Sequence, residues 1–232
     1  NDECMDMVIH AIREGVTEKE LALKVENFFK ARGCNSLGFS IVGMGKNGAD
    51  PHHDADETVL KEGDSIVIDI GAPFNHYWCD MTRTVFYKSV SEKQREVYET
   101  VRHANEAAIA KIKPGVAFKE FDLAARKVIE DAGYGEYFTH RTGHSIGMKE
   151  HEKPPVASDC EVIARPGMVF SIEPGIYLPG QFGVRVEDLV LVTEDGCEVL
   201  NKYTNNLKQQ KFQHFQLEML KLFLFAKIRN GG

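Results

Sequence analysis

The sequence contains no Cys-x-x-Cys pair, and its cysteines are few and scattered: Cys4, Cys34, Cys79, Cys160 and Cys197. An odd number at irregular spacing excludes a disulfide framework and points to reduced thiols in a cytoplasmic setting. Clustered lysine and arginine are also missing, and the formal net charge is −7. That balance argues against a nucleic-acid partner, because phosphate recognition needs grouped cations. No apolar run is long enough to span a bilayer; the stretch Leu220 to Phe225 is short and broken by Lys221, so no membrane partner is expected. No secretory signal is visible. Because the first residue is Asn1 rather than methionine, a processing boundary is expected there, with an upstream targeting segment left open.

With 232 residues, 43% of them hydrophobic, the chain has enough apolar surface for one substantial core. Thr17-Glu18-Lys19-Glu20 has the form of a capping box, followed by Leu21, Val25 and Phe28 at helical spacing and a stop at Gly33. Ser91-Glu92-Lys93-Gln94 opens a longer helix through Val97, Val101, Ala104, Ala108 and Ile112 to Pro114-Gly115, and a third helix is expected from Phe118 to Ala132. Ser65 to Ile70 and Asp80 to Tyr87 read as a β-hairpin, and Met168 to Ile172 with Val184 to Val192 as a second. The pattern predicts an α+β domain over residues 1–205, in two similar halves with helices outside and strands inside. Residues 206–232 change composition and are expected to be a separate tail, helical or poorly ordered.

Charges stand out within the strands. Asp69 interrupts Ile66-Val67-Ile68, and Glu173 follows Val169-Phe170-Ser171-Ile172. Each predicted hairpin carries one acid on each strand, Asp69 with Asp80 and Glu173 with Glu187. Apolar strands seldom bury carboxylates for stability alone, so the acids need a partner. A pair of divalent metal ions held by Asp69, Asp80, His144, Glu173 and Glu187 is one such partner. Two dications would bring the formal charge from −7 to about −3. An oxygen-rich set with one imidazole favours manganese, cobalt or iron, with zinc also allowed. Each residue has a plainer reading alone: Asp80 as a turn cap, Glu187 as a partner of Arg185. Cys79, next to Asp80 in a strand, should face away from any metal.

The blocks Ile68-Asp69-Ile70-Gly71-Ala72, Tyr77 to Thr84, Thr142-Gly143-His144-Ser145-Ile146-Gly147, Ser171 to Tyr177 and Val184-Arg185-Val186-Glu187-Asp188 together resemble the pita-bread metallopeptidases. The resemblance is to the Xaa-Pro branch, the prolidases and proline aminopeptidases, and covers roughly residues 5 to 200. It implies a pita-bread fold with a curved central antiparallel sheet. The implied activity is a dinuclear metallo-exopeptidase hydrolysing Xaa-Pro bonds in proline-containing peptides, an Xaa-Pro aminopeptidase with an Xaa-Pro dipeptidase as the alternative, with a water held between the ions as nucleophile. It further implies Asp69 bidentate to one ion, Asp80 and Glu187 bridging, His144 and Glu173 each on one ion, and Glu173 as proton shuttle. His52 would stabilise the reacting centre, His140 and His151 would hold the carbonyl and the proline side, and Arg185 would lie near the substrate. His53 occupies a place where relatives often carry an aromatic or small residue, and Arg83 is expected as a buried ion-pair partner.

The chain departs from the pattern at Ser145, where most relatives have glycine, and at Lys149-Glu150, which is more polar than usual. Most Xaa-Pro relatives also carry an N-terminal domain ahead of this catalytic half, which is expected to lie outside these residues, and a homodimer is left open. Competing readings are a methionine aminopeptidase-like peptidase, disfavoured by Glu173-Pro174-Gly175-Ile176-Tyr177, and a metal-free interaction module, disfavoured because all five candidate ligands are present.

Overall fold

The computed structural model describes residues 1–34 and 38–207. Residues 1–202 form one unit and 203–232 a second. The expected tail lies, from residue 208 onward, outside the described residues. The first unit begins with α1 (Asp2–His10) and α2 (Glu18–Ala31), followed by β1 (Phe39–Met44), β2 (Ser65–Phe74) and β3 (Tyr77–Phe86). Next come α3 (Glu92–Ile109), α4 (Phe118–Asp131), β4 (Gly143–Ser145) and β5 (Glu152–Val156). Then come β6 (Val169–Ile172), β7 (Gly175–Leu178), β8 (Phe182–Arg185), β9 (Asp188–Val192) and β10 (Cys197–Val199).

Local chemistry accounts for the helices. Ser91 and Gln94 make both reciprocal bonds of a capping box at the start of α3. At α2 only half of the expected box forms: the Thr17 hydroxyl accepts from Glu20 N, whereas the Glu20 carboxylate pairs with Arg13. The buried face of α2 ends on Phe29 rather than the expected Phe28, which instead lies under the Arg32 guanidinium. The helix α1 has no counterpart in the sequence reading.

The first hairpin is longer than expected, because β2 continues through Gly71 and Pro73 to a two-residue turn at Asn75 and His76, both at positive φ. Its strands sit in the sheet β1-β2-β3, all antiparallel. The second hairpin is corrected by the structure. The run Val184 to Val192 breaks at Val186 and Glu187; β8 pairs with β7, and β9 pairs with β6. The second sheet therefore has the order β10-β9-β6-β4-β5, and β7-β8 form a separate ribbon. Glu187 thus lies between two strands that belong to different sheets.

The halves repeat one another closely. Thr17 bridges Val59 as Ala117 bridges Ile163. Glu18 N donates to Thr58 O as Phe118 N donates to Val162 O, and Leu60 N to Val16 O as Ala164 N to Val116 O. The core of the second half is aromatic: Phe118, Phe121 and Phe170 are fully buried with ring centroids 4.6 to 5.7 Å apart. The halves are tied by buried polar bonds. Arg83 on β3 donates to Asp188 at 2.7 Å and to the carbonyl of Glu187. Thr84 and Arg185 exchange two bonds between side chain and backbone.

Candidate metal centre

Alternation along β2 puts Ile66, Ile68 and Ile70 on one face and Val67, Asp69 and Gly71 on the other. Asp80 on β3 lies opposite Gly71, one diagonal step from Asp69, so the two carboxylates share a face. A Cβ at Gly71 would sit 2.4 Å from the Phe39 ring, so glycine lets that ring cover the strand beside the acids. Glu173 follows β6, with its backbone N–H bonded to Thr142 O, and Asn105 of α3 holds the Ile172 carbonyl just before it. Glu187 occupies the break between β8 and β9, its N–H on Thr82 O and its Oε2 on the Thr82 hydroxyl at 2.6 Å.

The five residues predicted from sequence line one cleft of about 540 Å³. Asp80, His144 and Glu187 each place a ligand atom within 4.8 Å of the other two. The His144 Nε2 lies 3.6 Å from Asp80 Oδ2 and 3.4 Å from Glu173 Oε1. Its Nδ1 faces the Ser145 carbonyl at 3.2 Å, which places the ring proton there and leaves the Nε2 lone pair directed at the acids. Burial first, and His151 next, push the His144 pKa down to about 4, so the imidazole is neutral.

Three buried carboxylate oxygens in this cluster, Asp69 Oδ1, Asp80 Oδ1 and Glu187 Oε1, have no hydrogen-bond partner. Burial, followed by the neighbouring acids, raises the carboxyls of Asp80 and Glu187 well above the ordinary range. Burial also lifts Glu173, to about 7, against the opposing charge of Arg185. Orphaned acceptors are costly, and a lone pair facing carboxylates is repulsive unless a cation intervenes. Oxygen donors with one neutral imidazole fit divalent cations.

Arg185 is the counterweight. Fully buried, it donates to Asp69 Oδ2 at 2.7 Å, to the Thr82 hydroxyl, to Tyr177 Oη and to the Pro51 carbonyl. It lines the cleft, yet most of its donors are committed to orienting Asp69 and the wall. His52, His140 and His151 all line the same cleft. His140 Nε2 meets Tyr177 Oη at 2.8 Å, and burial pulls its pKa down to about 4. His151 stacks edge-on against His144, with centroids 4.0 Å apart. His53 turns the other way, onto Glu18. The Ser145 hydroxyl donates to Pro154 O, away from the cleft, and Cys79 Sγ bonds to Asn1 and Ala72.

Tyr177, Phe39, Ile41, Arg141 and Glu150 were not singled out from sequence as site residues. Tyr177 joins His140 to Arg185, and its place at the end of Glu173-Pro174-Gly175-Ile176-Tyr177 was the only signal for it. Phe39 and Ile41 alternate on β1, a strand that the sequence reading missed.

A family model for Metallopeptidase family M24 matches residues 1–194. The chain is 44% identical over 207 residues to a Xaa-Pro dipeptidase of Pyrococcus furiosus, an alignment covering 89% of this chain and 60% of that protein. Its fold is similar to the solved prolidase from Pyrococcus furiosus, with TM-score 0.84 and 44% identity over 87% of this chain and 60% of the other. It is also similar to the X-Pro aminopeptidase from Thermotoga maritima, with TM-score 0.84 and 38% identity over 88% and 58% of the two chains. The chain thus spans about 60% of the length of these relatives. With the two-halved α+β architecture and the converging acids, these matches establish that the chain belongs to metallopeptidase family M24, in its Xaa-Pro aminopeptidase and prolidase branch, with the pita-bread fold.

Proposed function

We propose that this chain is the catalytic domain of a metal-dependent exopeptidase that hydrolyses Xaa-Pro bonds, with dipeptides as first substrates. The observation that carries the metal-dependent reading is the set of three partnerless buried carboxylate oxygens on residues that line one cleft with a neutral imidazole. The proline preference rests on similarity to proteins named Xaa-Pro dipeptidase and prolidase. A second reading, Xaa-Pro aminopeptidase, is favoured by the similarity to the Thermotoga maritima enzyme.

Asp69, Asp80, His144, Glu173 and Glu187 would hold two divalent ions, manganese first, then cobalt, zinc or iron. When bound, such ions supply Lewis acidity toward the scissile carbonyl and make a water acidic enough to deprotonate near neutral pH. Glu173 is the proton carrier in this reading. Its side chain is 18% exposed against 3% for Asp80, so it meets the cleft while remaining next to His144. It takes a proton from the attacking water and returns it to the leaving proline nitrogen.

His151 and His140 flank the cleft and would hold the carbonyl and the proline ring, with Tyr177 fixing the His140 ring. His52 approaches from the loop after β1 and would steady the reacting centre. Arg185 keeps Asp69 aimed at the centre and adds positive charge beside the substrate. Phe39 and Ile41 supply an apolar wall that suits a pyrrolidine.

The test is hydrolysis of Gly-Pro, an Xaa-Pro-Pro tripeptide and Met-Ala-Ser by protein supplied with manganese. Cleavage of Gly-Pro above the tripeptide is expected. Cleavage of the tripeptide alone establishes the second reading, and cleavage of Met-Ala-Ser alone refutes the proline assignment.

A further inference from the structure

The least exposed carboxylates outside the centre include Glu18, in the first turn of α2, which is 0% exposed. Its Oε1 accepts from Met44 N at 2.7 Å and Asn47 Nδ2 at 3.0 Å. Its Oε2 accepts from Asp56 N at 3.1 Å and faces His53 Nε2 at 2.7 Å. Asn47 in turn reaches the Thr58 hydroxyl. All four partners lie between residues 44 and 56, the segment that leads from β1 into the cleft and carries His52. Glu18, His53 and Asp56 together have the composition of a cation site. Each Glu18 oxygen already has two hydrogen-bond partners, so the carboxylate is filled by the loop itself.

The repeat of the fold supplies an internal control. The backbone bonds that align Thr17 with Ala117 align Glu18 with Phe118. Phe118 is equally buried and packs on Phe121 and Phe170. An apolar side chain therefore satisfies this position as far as the fold is concerned, and burying a carboxylate there carries a desolvation cost that packing does not require. The favourable effect of an acid at a helix N-terminus does not account for burial either, since exposed Glu20 provides it. In the second half a different buried helix acid, Asp122, holds a different histidine segment: it accepts from the backbone and hydroxyl of Thr142, two residues beyond His140.

We propose that Glu18 is a positioning residue whose buried carboxylate fixes the segment 44–58 so that His52 stands over the metal centre. The segment is clamped from both sides, by Glu18 on one and by the Arg185 bond to Pro51 O on the other. This inference rests on the proposed role of His52 in peptide hydrolysis.

The experiment is a cycle of Glu18→Gln, His52→Ala and the double variant, assayed with manganese on Gly-Pro, with folding checked by circular dichroism. The glutamine amide would present N–H groups to the Asp56 N–H and the His53 edge. Glu18→Gln should therefore lower kcat by about tenfold or more with little change in KM, and the double variant should match His52→Ala. Effects that multiply would overturn the proposal. A second readout needs no turnover: in histidine-labelled protein, the His52 ring resonance, identified by its loss in His52→Ala, should shift or broaden in Glu18→Gln. An unchanged resonance overturns the proposal, whereas a wild-type protein that cleaves no Xaa-Pro peptide overturns only the proposed function. If Glu18→Gln does not fold, Asn47→Ala removes one of the same bonds without altering a buried charge, and the same two readouts apply.

Discussion

Replacing Asp80 by asparagine should change stability in opposite directions with and without metal. Asp80 and Glu187 place ligand oxygens no more than 4.8 Å apart, and both residues are almost fully buried. At an effective dielectric of about 20, two full charges at that distance repel by about 3.5 kcal/mol. Proton uptake by one acid relieves part of this, leaving an expected gain of about 2 kcal/mol on removing the charge, or roughly 4–8 °C in Tm for a domain of this size. The sign depends on pH. Burial and the neighbouring acids raise the Asp80 carboxyl above its ordinary value of 3.8. A raised carboxyl stabilises the native state fully below that ordinary value, and the contribution is lost as pH rises through the native value. In EDTA, wild type should therefore weaken as pH rises above that ordinary value, and Asp80→Asn should weaken less. With manganese at about a hundredfold over its Kd the order reverses, since wild type gains about 2.7 kcal/mol that the variant largely forgoes. Thermal melts at pH 5 and 8, each with EDTA or manganese, measure all four values. An Asp80→Asn protein that melts below wild type in EDTA at pH 8, or equal manganese shifts for both, would refute the view that these acids are held for a cation.

Glu173→Gln should reduce hydrolysis of Gly-Pro by about a hundredfold or more while most of the manganese-induced rise in Tm is retained; near-full activity would remove Glu173 from proton transfer. Asp188→Ala leaves the buried Arg83 guanidinium with backbone carbonyls in place of its carboxylate and should cost about 3–5 kcal/mol in urea unfolding, and a loss under about 1 kcal/mol would show that the pair is not needed. Tyr177→Phe removes the hydroxyl between His140 and Arg185 and should lower kcat/KM for Gly-Pro by about five- to tenfold, with a loss of about 1–3 kcal/mol in stability because buried Arg185 loses an acceptor. An unaltered kcat/KM would mean that the His140 ring is positioned without the phenol.

Residues whose environment is local were the most legible. The helix from Ser91 could be read because its cap and its apolar stripe are both encoded within a few residues; the cap and the stripe from Val97 to Ala108 form as expected, whereas the helix ends at Ile109, short of the expected Ile112 and Pro114-Gly115. Asp69 was legible because a charge within an isoleucine run has no other ready explanation. Elements whose role is defined by distant partners were harder to read. Strand β1 is short and continues into a glycine-rich segment, so nothing in its own residues announces that Phe39 and Ile41 wall the cleft. The break at Val186 and Glu187 was hidden because valines and leucines flank Glu187-Asp188 on both sides; it arises because β8 and β9 pair with different strands.

The sequence by itself determined the chemistry available to this protein: four carboxylates and an imidazole in apolar surroundings, carried by two repeated sets of helices and strands. Those features depend on residue type and on periods of two and 3.6, which any short window displays. Only the tertiary structure decided which atoms remain unsatisfied. Arg185 takes one oxygen of Asp69, the Thr82 hydroxyl takes one of Glu187, and the opposite oxygen of each is left buried without a hydrogen-bond partner. That choice comes from contacts spanning more than a hundred residues, in which one half of the fold supplies the donors that orient the acids of the other. It likewise turned His53 onto Glu18 and left its neighbour His52 lining the cleft, a distinction that two adjacent histidines in a sequence do not carry.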